Sequence, residues 1–116
     1  MVIIIPGEVP AKKNSRVNDT RTGRSFPSKR YNAWNELAIL YCRGKKAKEP
    51  VRIDLTFYHG DKRRRDSDNG TTSVFDTLVD AGVITDDRWA VIPHYSVSNL
   101  YDKNNPRVEI KITSIN

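Results

Sequence analysis

The chain is poor in the residues that usually build metal clusters and cross-links. Cys42 is its single cysteine, so no intramolecular disulfide and no thiolate cluster can form. Its place in an apolar helical stretch reads as a buried, inert thiol rather than a nucleophile. Histidine is nearly as scarce: His59 and His94 stand alone, without further ligands at zinc-like spacing, and read as phosphate-side or packing residues. Long apolar runs are missing too. Val2-Ile3-Ile4-Ile5 is cut off by Pro6 and lacks the length and basic flank of a signal peptide, so it predicts a short first strand. No segment is long enough to span a bilayer, and the expectation is a cytoplasmic protein with no membrane partner.

What the chain has instead is positive charge. The formal net charge is +6 with a pI of about 9.6, which points to an anionic partner. The whole excess lies in AKKNSRVNDTRTGRSFPSKR, residues 11–30, where seven cations stand against Asp19 alone. Lys12, Lys13, Arg16, Arg21 and Arg24 head that set. The segment has little apolar periodicity and much Asn, Ser, Thr and Gly, so it predicts a long mobile loop rather than a helix or strand. Such a loop either solubilises the protein or orders on nucleic acid, and its charge favours the second.

The remainder divides by period. Tyr31, Trp34, Leu37, Ala38 and Tyr41 recur at spacings of three and four, giving a first helix over 31–42 with Ser28 as cap and Gly44 as stop. Val51, Ile53, Leu55 and Phe57 alternate with polar residues as a half-buried strand. Val74, Phe75, Leu78 and Val79 form the stripe of a second helix, with Asp68 as N-cap and Gly82 ending it. Two more strands follow, about 90–99 and around Val108, Ile110 and Ile112, and DKNNP between them favours a hairpin. With 116 residues, 37% of them hydrophobic, no linker and no repeat, one domain is expected. The order strand, helix, strand, helix, strand, strand predicts a two-layer α/β (α+β) domain with a mixed sheet of about four strands and two helices.

One stretch concentrates both charges. RRRDSDNG sets Arg63, Arg64 and Arg65, preceded by Lys62, directly against Asp66 and Asp68. Carboxylates at i and i+2 in extended backbone point to one side, so both can reach one ion. Asp86 and Asp87 follow the second helix, and either can supply a third oxygen if it returns to the same end of the sheet. Oxygen ligands without thiolate suit a hard cation, Mg²⁺ or Mn²⁺. A lone D-x-D is a short pattern, however, and it reads equally as a helix cap with Asp86-Asp87 as a turn. An EF-hand is excluded, because Thr71 and Thr77 stand where its Gly and Glu belong.

The longer run DKRRRDSDNGTTSVFDTLVDAGVITDDRWAV, residues 61–91, resembles the RusA-type Holliday junction resolvases. A basic stretch, D-x-D-N, a helical F-D-x-L, A-G and D-D occur in that family's order and spacing. The resemblance implies a small homodimeric endonuclease that nicks four-way DNA junctions symmetrically with Mg²⁺ held by acidic residues, and no small-molecule cofactor. Carried over, the acids fall on Asp66, Asp68 and Asp87, and Asn69 also matches. Where the family usually has a lysine three residues after that Asn, this chain has Thr72, and Gly70 replaces an apolar residue. Lys12 or Lys13 is the expected replacement, from a loop that folds over the site. On this reading Lys62 to Arg65 clamp phosphates beside the scissile bond and the 11–30 loop grips a junction arm. Two other readings account for the same charge pattern: a nucleic-acid-binding module without catalysis, such as one for structured RNA, and a branched-DNA nuclease of relaxed specificity.

Overall fold

The computed structural model describes residues 1–11, 16–18, 25–27 and 29–115, the side chains of 16–18 and 25–27 excepted. Its elements run β1 (Val2–Pro6), β2 (Arg16–Asn18), β3 (Ser25–Pro27), α1 (Lys29–Cys42), β4 (Val51–His59), α2 (Thr71–Asp80), β5 (His94–Tyr101) and β6 (Arg107–Ser114). Four strands form one mixed sheet in the order β1-β6-β4-β5, so the expected two-helix, four-strand α+β architecture and its element order both hold. The basic segment differs from its reading as irregular loop. It contains a short antiparallel ladder in which Val17 pairs with Phe26.

Strand alternation decides which face of the sheet is covered. Ile3 and Ile5, then Val51, Ile53, Leu55 and Phe57, then Val108, Ile110 and Ile112 all point to one side, and all are buried. The helices lie on that side. On α1 the buried residues are Tyr31, Trp34, Ala38 and Cys42, a narrower stripe than the sequence suggested. Leu37 and Tyr41 fall to one side of it, 42% and 44% exposed. Burial pushes the Cys42 thiol up, which fits an inert core position. On α2, Val74, Phe75 and Leu78 are buried as the period requires, with Ser73 and Thr77 between them.

The ends of α2 explain where its chain goes. Gly70, not Asp68, stands at the N-cap, and no side chain caps the helix. Asp68 contributes its backbone instead, its carbonyl accepting the Thr71 N–H at 3.0 Å. At the other end Gly82 takes φ +76. Its N–H donates to the Val79 carbonyl at 3.0 Å and the Val83 N–H donates to the Leu78 carbonyl at 2.9 Å, a Schellman close that ends the helix sharply.

The expected hairpin between the last two strands does not form. β5 pairs in parallel with β4, while β6 lies between β1 and β4 and is antiparallel to both. The DKNNP segment therefore crosses the end of β4 rather than folding a strand back on its neighbour. Asp102 N–H donates to the His59 carbonyl at 2.9 Å, and Gly7 N–H donates to the Pro106 carbonyl at 2.8 Å, pinning the crossing at both ends. In consequence β1, β4 and β5 all run the same way, and their carboxyl ends, Pro6, His59 and Tyr101, meet at one edge of the molecule.

A candidate nucleic-acid interface at the carboxyl ends of three strands

Loops leaving the carboxyl ends of parallel strands have no neighbouring strand beyond them, so this is where an α/β sheet exposes groups to a ligand. Here the loop after β4 carries Asp61 to Gly70, including all four cations from Lys62 to Arg65 and both carboxylates Asp66 and Asp68. Two turns shape it: Asn69 N–H donates to the Asp66 carbonyl and Thr71 N–H to the Asp68 carbonyl, each at 3.0 Å. Those bonds use the backbones and leave both carboxylates exposed.

A chain of polar contacts fastens this loop to the sheet. Arg65 donates through Nη2 to Glu8 Oε1 and pairs through Nη1 with Asp61 Oδ1, both at 2.9 Å. Glu8 follows β1, and its Oε2 lies 2.9 Å from His59 Nδ1. The other ring nitrogen, His59 Nε2, lies 2.8 Å from Asn99 Oδ1 on β5. Asn99 in turn donates through Nδ2 to the Ser67 carbonyl at 2.7 Å, between the two acids. The Arg65 guanidinium, then the Arg63 N–H, hold the Asp61 carboxyl down to about 2.

The arginines thus divide by role. Arg65, with its side chain 14% exposed, is spent on Glu8 and Asp61, so the expectation that it clamps phosphate is corrected: two carboxylates already satisfy its fork. Arg63 keeps a looser contact with Asp61 at 3.4 Å and stays 70% exposed. Arg64 is exposed and makes no ion pair among the described residues. Together with Arg30 from the start of α1, Arg63 and Arg64 line a groove of about 300 Å³ that also reaches Asn69. A second cleft, about 440 Å³, is lined by Asp66, Lys62, Asn99 and Tyr101 and shares Arg63 and Arg65 with the groove. There the Lys62 ammonium stands 4.9 Å from the centre of the Tyr101 ring. Asp66 thus lines the larger cleft beside Lys62, Arg63 and Arg65.

Asp86 and Asp87 lie elsewhere. Thr85 donates to Glu49 from both its N–H and its hydroxyl, at 2.7 Å, and Glu49 precedes the start of β4. Val51 N–H likewise donates to the Val91 carbonyl at 2.9 Å. The acidic pair is thereby held toward the amino end of β4, a nine-residue strand about 30 Å long at ~3.3 Å per residue. The expectation of a third carboxylate at the same end fails within one chain, because α2 carries the chain back along the sheet before Asp86 is reached. Among the described residues no group of three or more His, Cys, Asp or Glu stands close enough to hold a metal ion. His59 and His94, at opposite ends of the parallel β4–β5 pair, share no site either.

Lys12, Lys13, Arg21 and Arg24 lie outside the described residues, and of Arg16 only the backbone in β2 is described. The residues just before Lys12 are placed firmly, however. The buried Ser73 hydroxyl donates to the Pro10 carbonyl at 2.6 Å, which ties that segment to the first turn of α2 beside the exposed Thr72.

Glu8, Asn99 and Tyr101 are not singled out by the sequence, Arg30 enters there only as one charge of the basic segment, and His59 only as a phosphate-side or packing residue closing an alternating strand before Gly60. The partners of that histidine lie 51 and 40 residues away, and no spacing rule connects them.

The family model for endodeoxyribonuclease RusA matches residues 6–113, nearly the full length. The crossover junction endodeoxyribonuclease RusA of Aquifex aeolicus (strain VF5) is 30% identical over 84 residues, spanning 69% of this chain and 67% of that protein. No described helix is long and apolar enough to cross a membrane. A family match over residues 6–113 and a relative of that identity and coverage place this chain in the RusA endodeoxyribonuclease family.

Proposed function

We propose that the protein is a Mg²⁺- or Mn²⁺-dependent endodeoxyribonuclease that resolves four-way DNA junctions by paired symmetric nicks in recombination and repair. The observation that carries this reading is the exposed Asp66–Asp68 pair on a loop walled by Lys62, Arg63, Arg64 and Arg30, in a chain of this family. The cations along this loop suit a phosphodiester backbone, and contacts of this kind position the backbone rather than read its sequence.

The donor set is half of a metal site. Asp66 and Asp68 are hard oxygen ligands, exposed and side by side in sequence, and Mg²⁺ accepts one or two carboxylates when water and substrate phosphate fill its other positions. A bound divalent ion would activate water and neutralise charge gathering on the scissile phosphate. Asp87, or its neighbour Asp86, cannot join that pair from the same chain. A second copy related by a two-fold axis can bring its own acidic pair to this end, and a homodimer also supplies the two matched sites that symmetric cleavage of a two-fold junction demands. Within one subunit, Arg63, Arg64 and Arg30 hold phosphates, Arg65 holds the loop, and hydrolysis proceeds without a covalent enzyme intermediate. Lys12 or Lys13, entering beside Thr72 along the segment tied to Ser73, is placed by this reading to complete the charge at the reacting phosphate.

The separation of Asp87 from Asp66 and Asp68 favours a second reading, a nucleic-acid-binding module without catalysis, in which the acids only shape turns. Incubating the purified protein with labelled four-way, flap and linear duplex DNA, with Mg²⁺ and with EDTA, separates the possibilities. Paired nicks confined to the four-way substrate and abolished by EDTA are expected. Cleavage of flaps at equal rate means a relaxed-specificity nuclease, and binding without cleavage of any substrate means the module.

A further inference from the structure

His59 lies between two oxygens. Nδ1 is 2.9 Å from Glu8 Oε2 and Nε2 is 2.8 Å from Asn99 Oδ1. Which end of the Asn99 amide faces the ring follows from its other contact, because the Ser67 carbonyl 2.7 Å away can only accept. The amino group must therefore turn to Ser67, which leaves the amide oxygen for Nε2. His59 therefore bridges a carboxylate oxygen and an amide oxygen, one at each ring nitrogen.

Other groups close in around that bridging ring. Glu8 faces it from the segment after β1, and Arg65 shares that carboxylate from the loop, itself paired with Asp61. The Phe57 ring is nearly parallel to it at 6.2 Å. Asp61, Lys62 and Asp66 line the adjoining cleft. From the ring the bonds run to Asn99 and on to Ser67, the residue between Asp66 and Asp68.

We propose that His59, bridging Glu8 and Asn99, is a positioning residue that latches the Asp66–Asp68 loop to the ends of β1 and β5 in the geometry needed for cleavage. The proposal rests on the nuclease reading for its effect on rate, but not for its effect on the loop. Without the latch, Ser67 loses its anchored tie to β5, and the two acids depend on the turn bonds of their own segment and on Arg65.

The test compares the parent with His59→Ala, His59→Gln, Asn99→Ala and the His59→Ala/Asn99→Ala double variant. Asn99 is exposed, so its truncation leaves the core untouched. Amide hydrogen exchange is expected to accelerate at Asn69 and its loop neighbours in His59→Ala and Asn99→Ala while the β4 and β6 amides keep their protection. On saturating four-way junction the single-turnover rate should fall by about tenfold or more with little change in Kd, the double variant no worse than either single, and His59→Gln in between. Unchanged loop exchange in Asn99→Ala would overturn the latch, as would faster exchange throughout the sheet, which would mean a purely structural histidine. A parent inert on every branched substrate would overturn the nuclease reading instead, and loop exchange would still decide the latch.

Discussion

The ring of Phe57 occupies the space that a side chain at position 70 would need: a Cβ on Gly70 would stand 2.7 Å from Phe57 Cε1 and 3.0 Å from a Val9 methyl. A glycine fits there because a large aromatic from β4 fills the space. Phe57 is buried and cannot swing away. Gly70→Ala should therefore destabilise the fold by about 1–3 kcal/mol, read from urea unfolding. Adding Phe57→Leu should recover part of that loss, so that the double variant is more stable than the two single changes sum to.

On the proposed function, Asp68→Asn should abolish cleavage and leave junction binding intact or tighter, because it would remove a metal ligand together with a negative charge facing the DNA. Asp87→Asn should do the same. Mixing the two inactive proteins tests whether the acids meet across a dimer. If each site takes Asp66 and Asp68 from one copy and Asp87 from the other, a mixed dimer places both changes in one site and leaves the second whole. Nicking, without paired cleavage, should then return. A mixture as dead as its components would place all three acids in one subunit or remove Asp87 from the site.

The arginines make opposite predictions. Arg64→Ala should lower the slope of log K against log salt by about 0.9, the value for one lost phosphate contact, and Arg65→Ala should leave it nearly unchanged. Neutralising Lys12, Lys13, Arg16, Arg21 and Arg24 together should lower the slope by about 0.9 for each contact that segment makes. A constant slope in the last variant would put the basic segment away from the DNA.

Asp61 gives a pH signature. Its carboxyl is depressed, so the Asp61–Arg65 pair favours the folded loop above the ordinary carboxylate value of about 3.9. That contribution disappears as pH falls through the depressed value of about 2. In an NMR titration the parent Asp61 should titrate near that value, and Arg65→Ala should move its midpoint toward the ordinary one. No movement would mean that Arg65 is not its partner.

Period was the legible part of this chain. Alternation at Val51 to Phe57 and the three-and-four spacing at Val74 to Leu78 report burial directly, and the elements follow from it. Pairing was not legible: DKNNP has hairpin chemistry, yet β6 docks between β1 and β4, where its alternate residues Val108, Ile110 and Ile112 are buried. The same blindness misplaced Asp87. A parallel strand, helix, strand unit returns the chain to the opposite end of the sheet before the next strand begins, so a residue just after α2 cannot face one just before it. Asp66 and Asp68 lie two residues apart on one loop, a nearness that needs no tertiary information. The links from Glu8 to His59 and from Asn99 to Ser67 exist only once β1, β4 and β5 end together.

Thr72 poses the last question. It is exposed at the start of α2, three residues after Asn69, where the family usually has a lysine. Its hydroxyl can orient a water but supplies no charge. Lys62 and Arg63 to Arg65 precede the acids, and Arg65 is already committed to Glu8 and Asp61. Lys12 and Lys13 follow Ala11 within two residues of it, and Pro10 is held to Ser73, the neighbour of Thr72. A cation arriving from there would enter beside the vacant lysine position. Lys12→Ala or Lys13→Ala should then cut the single-turnover rate on bound junction far more than it weakens binding, and Thr72→Lys should partly restore the rate in that background. If both alanine variants cleave at the parent rate once saturated with DNA, no lysine from this segment serves the reaction, and the threonine marks an enzyme that works without one.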